Sequence, residues 1–360
     1  MKRFLLLKLG GVGDVVTATP AIRAIRKSHP DAFIALIAEA PGLEVVSGGP
    51  YVDEIIEFTG LYRCQTLTGL LRPRRLRDAA RFARKVSSSR WDVFVSFQSL
   101  WRRSATIKPR IIAAMSRAKI TAGLNTANNG TFLTHGIPDN RFDHRHYVDR
   151  FLDVVRSIGC EPDSRHTEVC FGDQDRAEAV ALLRDAGVAQ SDVACGIHPG
   201  GNPDYPLCTS WPVERFAAVA NALIDQHDGK ILITGSPGDR ELCAELRRRI
   251  GQPGRVIDLS GKTSIKQLAA CLEHCRLYIS NDTGPMHIGV AVGTPTVGIF
   301  GPGDWQAYGY SPEMSFRLVR TDVDCSPCTN RQCTTRKCMN AVTVQDVLAA
   351  AEELLGEARG

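Results

Sequence analysis

No apolar run in this chain approaches the ~18 residues that a membrane-spanning helix needs, so the protein is expected to be soluble and to stay in the cytoplasm. The opening Met1-Lys2-Arg3-Phe4-Leu5-Leu6-Leu7 imitates a secretion signal. Lys8 and then Asp14 interrupt it before any cleavage site, and it reads instead as a buried first strand. An excess of one charge is also missing. The 44 basic and 39 acidic residues leave only +5 over 360 residues, which excludes a dedicated nucleic-acid binder. Cysteine is not scarce, at twelve, but eight of these are scattered through apparent strands and helices of a long chain and read as reduced core thiols.

What is present is alternation. Short β-rich runs at Phe4 to Leu9, Phe33 to Ala38, Glu54 to Phe58 and Asp92 to Phe97 are separated by helical patterns such as Asp14 to Lys27 and Leu76 to Val86. That is the pattern of a doubly wound parallel sheet. A helix with Tyr147, Phe151, Val154, Val155 and Ile158 on one face closes the first half, and Gly159 to Asp163 break it. The pattern then restarts with strands at Val193 to Ile197, Lys230 to Thr234, Val256 to Leu259, Leu277 to Ile279 and Thr296 to Phe300, and helices at Pro212 to Gln226 and Arg240 to Ile250. The expectation is an α/β protein of two Rossmann-like domains, 1–165 and 170–340. Periodicity leaves open whether a final helix within 343–357 packs on the second domain or back on the first.

Four strand ends carry loops suited to anions. After the first strand comes Gly10-Gly11-Val12-Gly13-Asp14, whose glycines permit a tight turn. Val16 stands where a dinucleotide fingerprint needs its third glycine, so a nicotinamide-dependent oxidoreductase is the weaker reading. Asp14, at a helix start, either caps that helix or serves as a base in a cleft between the two halves. In the second half, His198-Pro199-Gly200-Gly201, the loop from Gly235 to Glu241 and Ser280-Asn281-Asp282-Thr283-Gly284-Pro285-Met286-His287 converge on one rim if the sheet is parallel. Asp239 and Glu241 read either as helix caps on a solvated face or as partners of ribose hydroxyls. The last loop turns a strand into a helix, with Asp282 or Thr283 as its cap and Gly284 admitting a phosphate.

Together these residues resemble the glycosyltransferase family of ADP-heptose:lipopolysaccharide heptosyltransferases, glycosyltransferase family 9. The likeness runs through Lys8 to Asp14 with Thr19-Pro20-Ala21, His198-Pro199-Gly200, Trp211-Pro212 with Arg215-Phe216, and Asp282-Thr283-Gly284 with His287. It implies the GT-B fold, two Rossmann-like domains facing a central cleft, and inverting transfer of a heptose or related sugar from an ADP-sugar to a hydroxyl, with no cofactor needed for catalysis. Asp14 is then the catalytic base, with Gly11, Gly13 and Thr17 on the acceptor side of the cleft. His198, Gly200, Gly201, Thr209, Asp239, Glu241, Asp282, Thr283, Gly284 and His287 surround the donor. The implied acceptor is a lipid-linked saccharide of the lipopolysaccharide core; a protein acceptor and a non-catalytic sugar-binding or scaffold role are the alternatives. One residue departs from the family: Thr209 stands where a basic residue usually neutralises the donor diphosphate, leaving Lys262 or Arg240 as substitutes.

The other four cysteines, Cys325, Cys328, Cys333 and Cys338, lie within fourteen residues and read as a structural metal site, free thiols or disulfides. Similar clusters in relatives that modify autotransporter proteins hold iron, so zinc and iron compete as the expected ion. Basic and aromatic residues gather at Arg72 to Arg75, Trp101 to Arg103 and Arg141 to Tyr147. Charge runs are often only solvated faces. Here they are expected to attract a phosphorylated acceptor or an anionic membrane surface, giving a peripheral contact on the inner membrane face.

Overall fold

Phe4 to Leu7 are four consecutive apolar residues, and all are fully buried. A run without alternation needs cover on both faces, which a parallel sheet with helices on either side provides. A computed structural model of the protein describes residues 1–58, 73–140, 143–189, 192, 194–202, 206–328, 330 and 332–357. It divides into two units, Met1–Cys170 and Phe171–Gly360.

In the first unit the strands are β1 (Arg3–Leu7), β2 (Phe33–Ala38), β3 (Glu54–Glu57), β4 (Val93–Ser96), β5 (Ile120–Thr126) and β6 (His135–Asp139). They form one parallel sheet in the order β3-β2-β1-β4-β5-β6. In the second unit β7 (Ala194–His198), β8 (Lys230–Ile233), β9 (Val256–Asp258), β10 (Leu277–Asn281), β11 (Thr296–Ile299) and β12 (Phe316–Val319) repeat that order as β9-β8-β7-β10-β11-β12. Each sheet reverses winding direction between its first and fourth strands, so each has a crevice at their carboxyl ends. Val193 lies outside the described residues, and β7 runs one residue further than expected, to His198.

The expected helix from Asp14 to Lys27 is instead two, Val12–Val16 and Thr19–Ser28. Thr17 Oγ1 donates to the Asp14 carbonyl at 3.0 Å and Thr19 Oγ1 to the Val16 carbonyl at 2.7 Å. Pro20 has no N–H to continue the first helix, and Ala18 N–H turns to Val15. Pro20 therefore lies in the opening turn of the second helix, where its missing donor costs nothing.

The final helix, Val344–Glu357, buries Val347, Ala351, Leu354 and Leu355 in the core of the second unit. Arg317 on β12 pairs with Glu353 at 2.8 Å and with Glu357. Of the two places periodicity left open, the helix lies with its apolar face against the core of the second unit. Among the described residues no helix is long and apolar enough to cross a membrane.

Candidate active site

In the first unit the crevice lies where β1 and β4 diverge. Lys8 follows β1 and is 5% exposed, so its ammonium requires a partner. It donates to Asp14 Oδ1 at 2.8 Å and lies 5.2 Å from the Phe151 ring. Asp14 Oδ2 accepts the Gly11 N–H at 3.0 Å, closing the turn as a capping contact. Between them sits Gly10 at φ +129°; a Cβ there would lie 2.4 Å from Asp14 Oδ2. Thus Gly10 is required for the carboxylate's position. The Asp14 side chain is 37% exposed, and a carboxylate can accept about four hydrogen bonds, so it retains capacity for a ligand hydroxyl. Gly11 is exposed, whereas Gly13 and Thr17 are buried. The Thr17 hydroxyl closes the end of the short helix.

In the second unit three loops meet at the carboxyl ends of β7, β8 and β10. His198 is buried, and its Nδ1 lies 3.1 Å from the Thr234 carbonyl, which can only accept, so Nδ1 carries the proton. Burial pushes its pKa down and keeps the ring neutral. The free Nε2 points at Gly200, where a Cβ would lie 2.8 Å from it and 2.9 Å from Asp239 Oδ1. Asp239 Oδ2 accepts from the Ser236 N–H at 2.8 Å and its hydroxyl at 2.6 Å, so one oxygen caps its own turn and the other faces the Gly200 loop. Glu241 is exposed in the first turn of helix Arg240–Arg249, and Gly201 is half-buried.

Asn281 binds the loops together. Its Nδ2 donates to the Pro199 and Gly200 carbonyls at 3.0 Å each, and its Oδ1 accepts the Trp211 N–H at 3.0 Å. After it, Thr283 is the N-cap of helix Gly284–Ala291, but no side chain caps that helix. Thr283 Oγ1 instead donates back to Asn281 O at 3.3 Å, leaving the positive helix end facing the rim. His287, one turn in, is buried with Nδ1 2.8 Å from the Tyr310 hydroxyl. Asp282 is half-buried, and desolvation first and the charge of Asp304 second push its carboxyl up to about 7. Gly303 is needed beside it, since a Cβ there would approach Asp282 Oδ2 to 2.2 Å.

Of the two cations that could replace the missing one, Arg240 donates to Gly261 O at 3.3 Å and Lys262 to Asp258 O at 2.7 Å. Thr209 Oγ1 accepts the Asn202 N–H at 2.7 Å. Cys325, Cys328, Cys333 and Cys338 form no disulfide, and among the described residues no group of three His, Cys, Asp or Glu side chains is placed to hold a metal ion. Cys333 Sγ instead accepts the Arg336 N–H at 3.4 Å.

Of the three basic clusters, Arg72, Arg141 and Phe142 lie outside the described residues, as do the side chains of Pro73, Arg74 and Arg75. Arg145 is paired with Asp153 at 2.6 Å, and His146 and Tyr147 are buried, so that stretch is not a free basic face. Arg102 and Arg103 are exposed.

A pair of Rossmann-like sheets, one with a carboxylate on its glycine-rich loop and the other with an uncapped helix at its switch point, defines a glycosyltransferase of GT-B type. The chain belongs to glycosyltransferase family 9, the heptosyltransferases, whose family model matches residues 79–339. It is 22% identical over 351 residues to lipopolysaccharide heptosyltransferase 3 of Escherichia coli K12, covering 96% of each chain. Among solved structures, a family 9 glycosyltransferase from Veillonella parvula aligns with TM-score 0.77 at 24% identity, over 99% of this chain and 97% of the other. An E. coli heptosyltransferase solved with ADP-2-deoxy-2-fluoro heptose aligns with TM-score 0.71 at 18% identity, over 98% and 99%. Membership in this family replaces the oxidoreductase and non-catalytic readings.

Proposed function

We propose that the protein transfers heptose from an ADP-heptose donor to a hydroxyl of a lipid-linked lipopolysaccharide core acceptor, on the cytoplasmic side of the inner membrane. The observation that carries this reading is the uncapped helix end at Thr283 and Gly284, held beside Gly200 by Asn281. It suits a diphosphate, and the relatives act on heptose and lipopolysaccharide. In this scheme Asp14 accepts the proton of the acceptor hydroxyl as that oxygen attacks the anomeric carbon. The bond to the diphosphate breaks, ADP departs, and the configuration inverts. The helix end stabilises the charge that develops on the leaving oxygen. No cofactor takes part in these steps. Loss of one heptose from the lipopolysaccharide of a strain lacking this protein, seen by mass spectrometry, tests the reading; unchanged lipopolysaccharide contradicts it.

Gly10→Ala is expected to lower turnover by roughly 10²-fold while the protein stays folded, because the added Cβ displaces the Asp14 carboxylate. Steady-state kinetics alongside circular dichroism check this. Asp282 gives a pH dependence of known sign. A carboxyl raised from 3.8 to about 7 favours the neutral form, so its contribution to stability is present below 3.8 and is lost as pH rises through 7. An ionised Asp282 also repels a diphosphate. Calorimetric ADP affinity of the wild type should therefore fall more steeply from about pH 6 to about pH 8 than that of Asp282→Asn, which shares only the titration of the phosphate itself. Parallel profiles would remove Asp282 from the donor site.

A membrane contact is supported by Ile107 and Ile111, one helical turn apart and each more than half exposed, with the exposed Arg102, Arg103 and Arg110 nearby in the chain. Flotation with anionic vesicles, lost in Ile107→Asp/Ile111→Asp, would support it; flotation unaffected by that change would not.

A further inference from the structure

The cysteine-rich segment lies across the rim of the second sheet. Ser326 Oγ donates to Gly301 O at 2.6 Å and Cys328 N–H to Pro302 O at 2.9 Å, both just past the carboxyl end of β11. Cys208 Sγ donates to Cys333 O at 3.3 Å, and Met339 fills the space above Gly301, where a Cβ would meet its Sδ at 2.1 Å. From this segment the guanidinium of Arg336 reaches the Ser210 carbonyl. Ser210 stands next to Thr209, where the family's cation is missing, and next to Trp211, whose N–H is held by Asn281 at the start of the anion turn.

We propose that Arg336 is the donor-diphosphate cation of this protein, supplied by the cysteine-rich segment in place of the basic residue absent at Thr209. The inference rests on the ADP-sugar reading above. Arg336 has five N–H donors; one nitrogen bonds Ser210, and among the described residues Nε is buried without a partner. Such a group has binding capacity left, and a phosphate oxygen matches its fork. Its backbone is fixed for the purpose. Arg336 adopts φ +48° at the start of helix Lys337–Ala341, with its N–H on Cys333 Sγ and its carbonyl accepting from Asn340 N–H at 2.9 Å. The four-cysteine segment thereby acquires a role in donor binding that its thiols alone do not suggest.

The test measures ADP and adenosine binding by calorimetry for the wild type, Arg336→Gln, Arg336→Ala and Thr209→Lys/Arg336→Ala. Arg336→Gln keeps a donor for Ser210 without the charge, and covers the case in which Arg336→Ala does not fold. Both single variants should bind ADP roughly tenfold more weakly, with adenosine affinity within about twofold of wild type, because only ADP carries the diphosphate. The lysine at position 209 should restore most of the ADP affinity, and the difference should shrink with added salt. ADP affinity unchanged in both single variants, or an equal loss for ADP and adenosine, would overturn the assignment. A wild type that binds adenosine but gains nothing from the diphosphate would overturn the donor reading itself, and the assignment with it.

Discussion

Asp14→Asn is expected to reduce heptosyl transfer by at least about two orders of magnitude while ADP binding stays close to wild type and the protein remains folded. The amide preserves the carboxylate's shape, and its oxygen can still accept the Gly11 N–H that closes the turn. What it cannot do is take a proton from an attacking hydroxyl. It also leaves the buried Lys8 ammonium facing a neutral partner, so some stability cost accompanies the loss of the ion pair. Asp14→Ala, which removes both the base and the cap, should be no less inactive and measurably less stable. Steady-state transfer rates together with melting curves separate the two roles. Turnover of Asp14→Asn within tenfold of wild type would reduce Asp14 to a cap.

The largest effect on stability should come from Trp211→Ala. The indole is 1% exposed, meets Phe216 edge-on at 5.0 Å and donates from Nε1 to Val342 O at 3.0 Å. Truncation removes a large buried surface and leaves a cavity in the core of the second unit, a loss of about 3–5 kcal/mol for a tryptophan. It also frees the Val342 carbonyl, although Arg215 Nη1 reaches the same oxygen and lessens that part. Chemical denaturation monitored by fluorescence of the remaining tryptophans measures the loss. A change below ~1 kcal/mol would mean that the Trp-Pro pair is not the anchor described here. The burial of Trp211 thus gives the family signature around it a packing role.

Much of this was legible in the sequence because the informative elements are extreme. β1 and β7 are buried on both faces and end in glycine-rich loops, so an unbroken apolar run followed by glycine marks both strand and site. The anion turn was legible for the same reason. Less visible were β5, which contains Gly123 and Asn125, and β6, a half-exposed edge strand whose Pro138 suits a position with one free side. β12 was hidden by Arg317, whose charge belongs to the last helix. Helix Asp173–Asp185 buries only Ala179 and Leu183, too little for a clear period.

Within the site, the pairing of Lys8 with Asp14 had a readable signal, a cation closing an apolar strand six residues before a carboxylate. In the sequence alone the same two residues read as an interruption of a leader-like run. Arg336 had no such signal. Its partner at Ser210 is 126 residues away in sequence, and only folding of the cysteine segment over the rim brings them together.

The most direct measurement incubates the purified protein with ADP-heptose and heptose-deficient lipopolysaccharide, following ADP release and the mass of the acceptor. The account predicts that the acceptor gains one heptosyl residue for each ADP released, in the opposite anomeric configuration to the donor, and that Asp14→Asn abolishes the gain. Release of ADP with no change in acceptor mass, or transfer that proceeds equally well without Asp14, would contradict it.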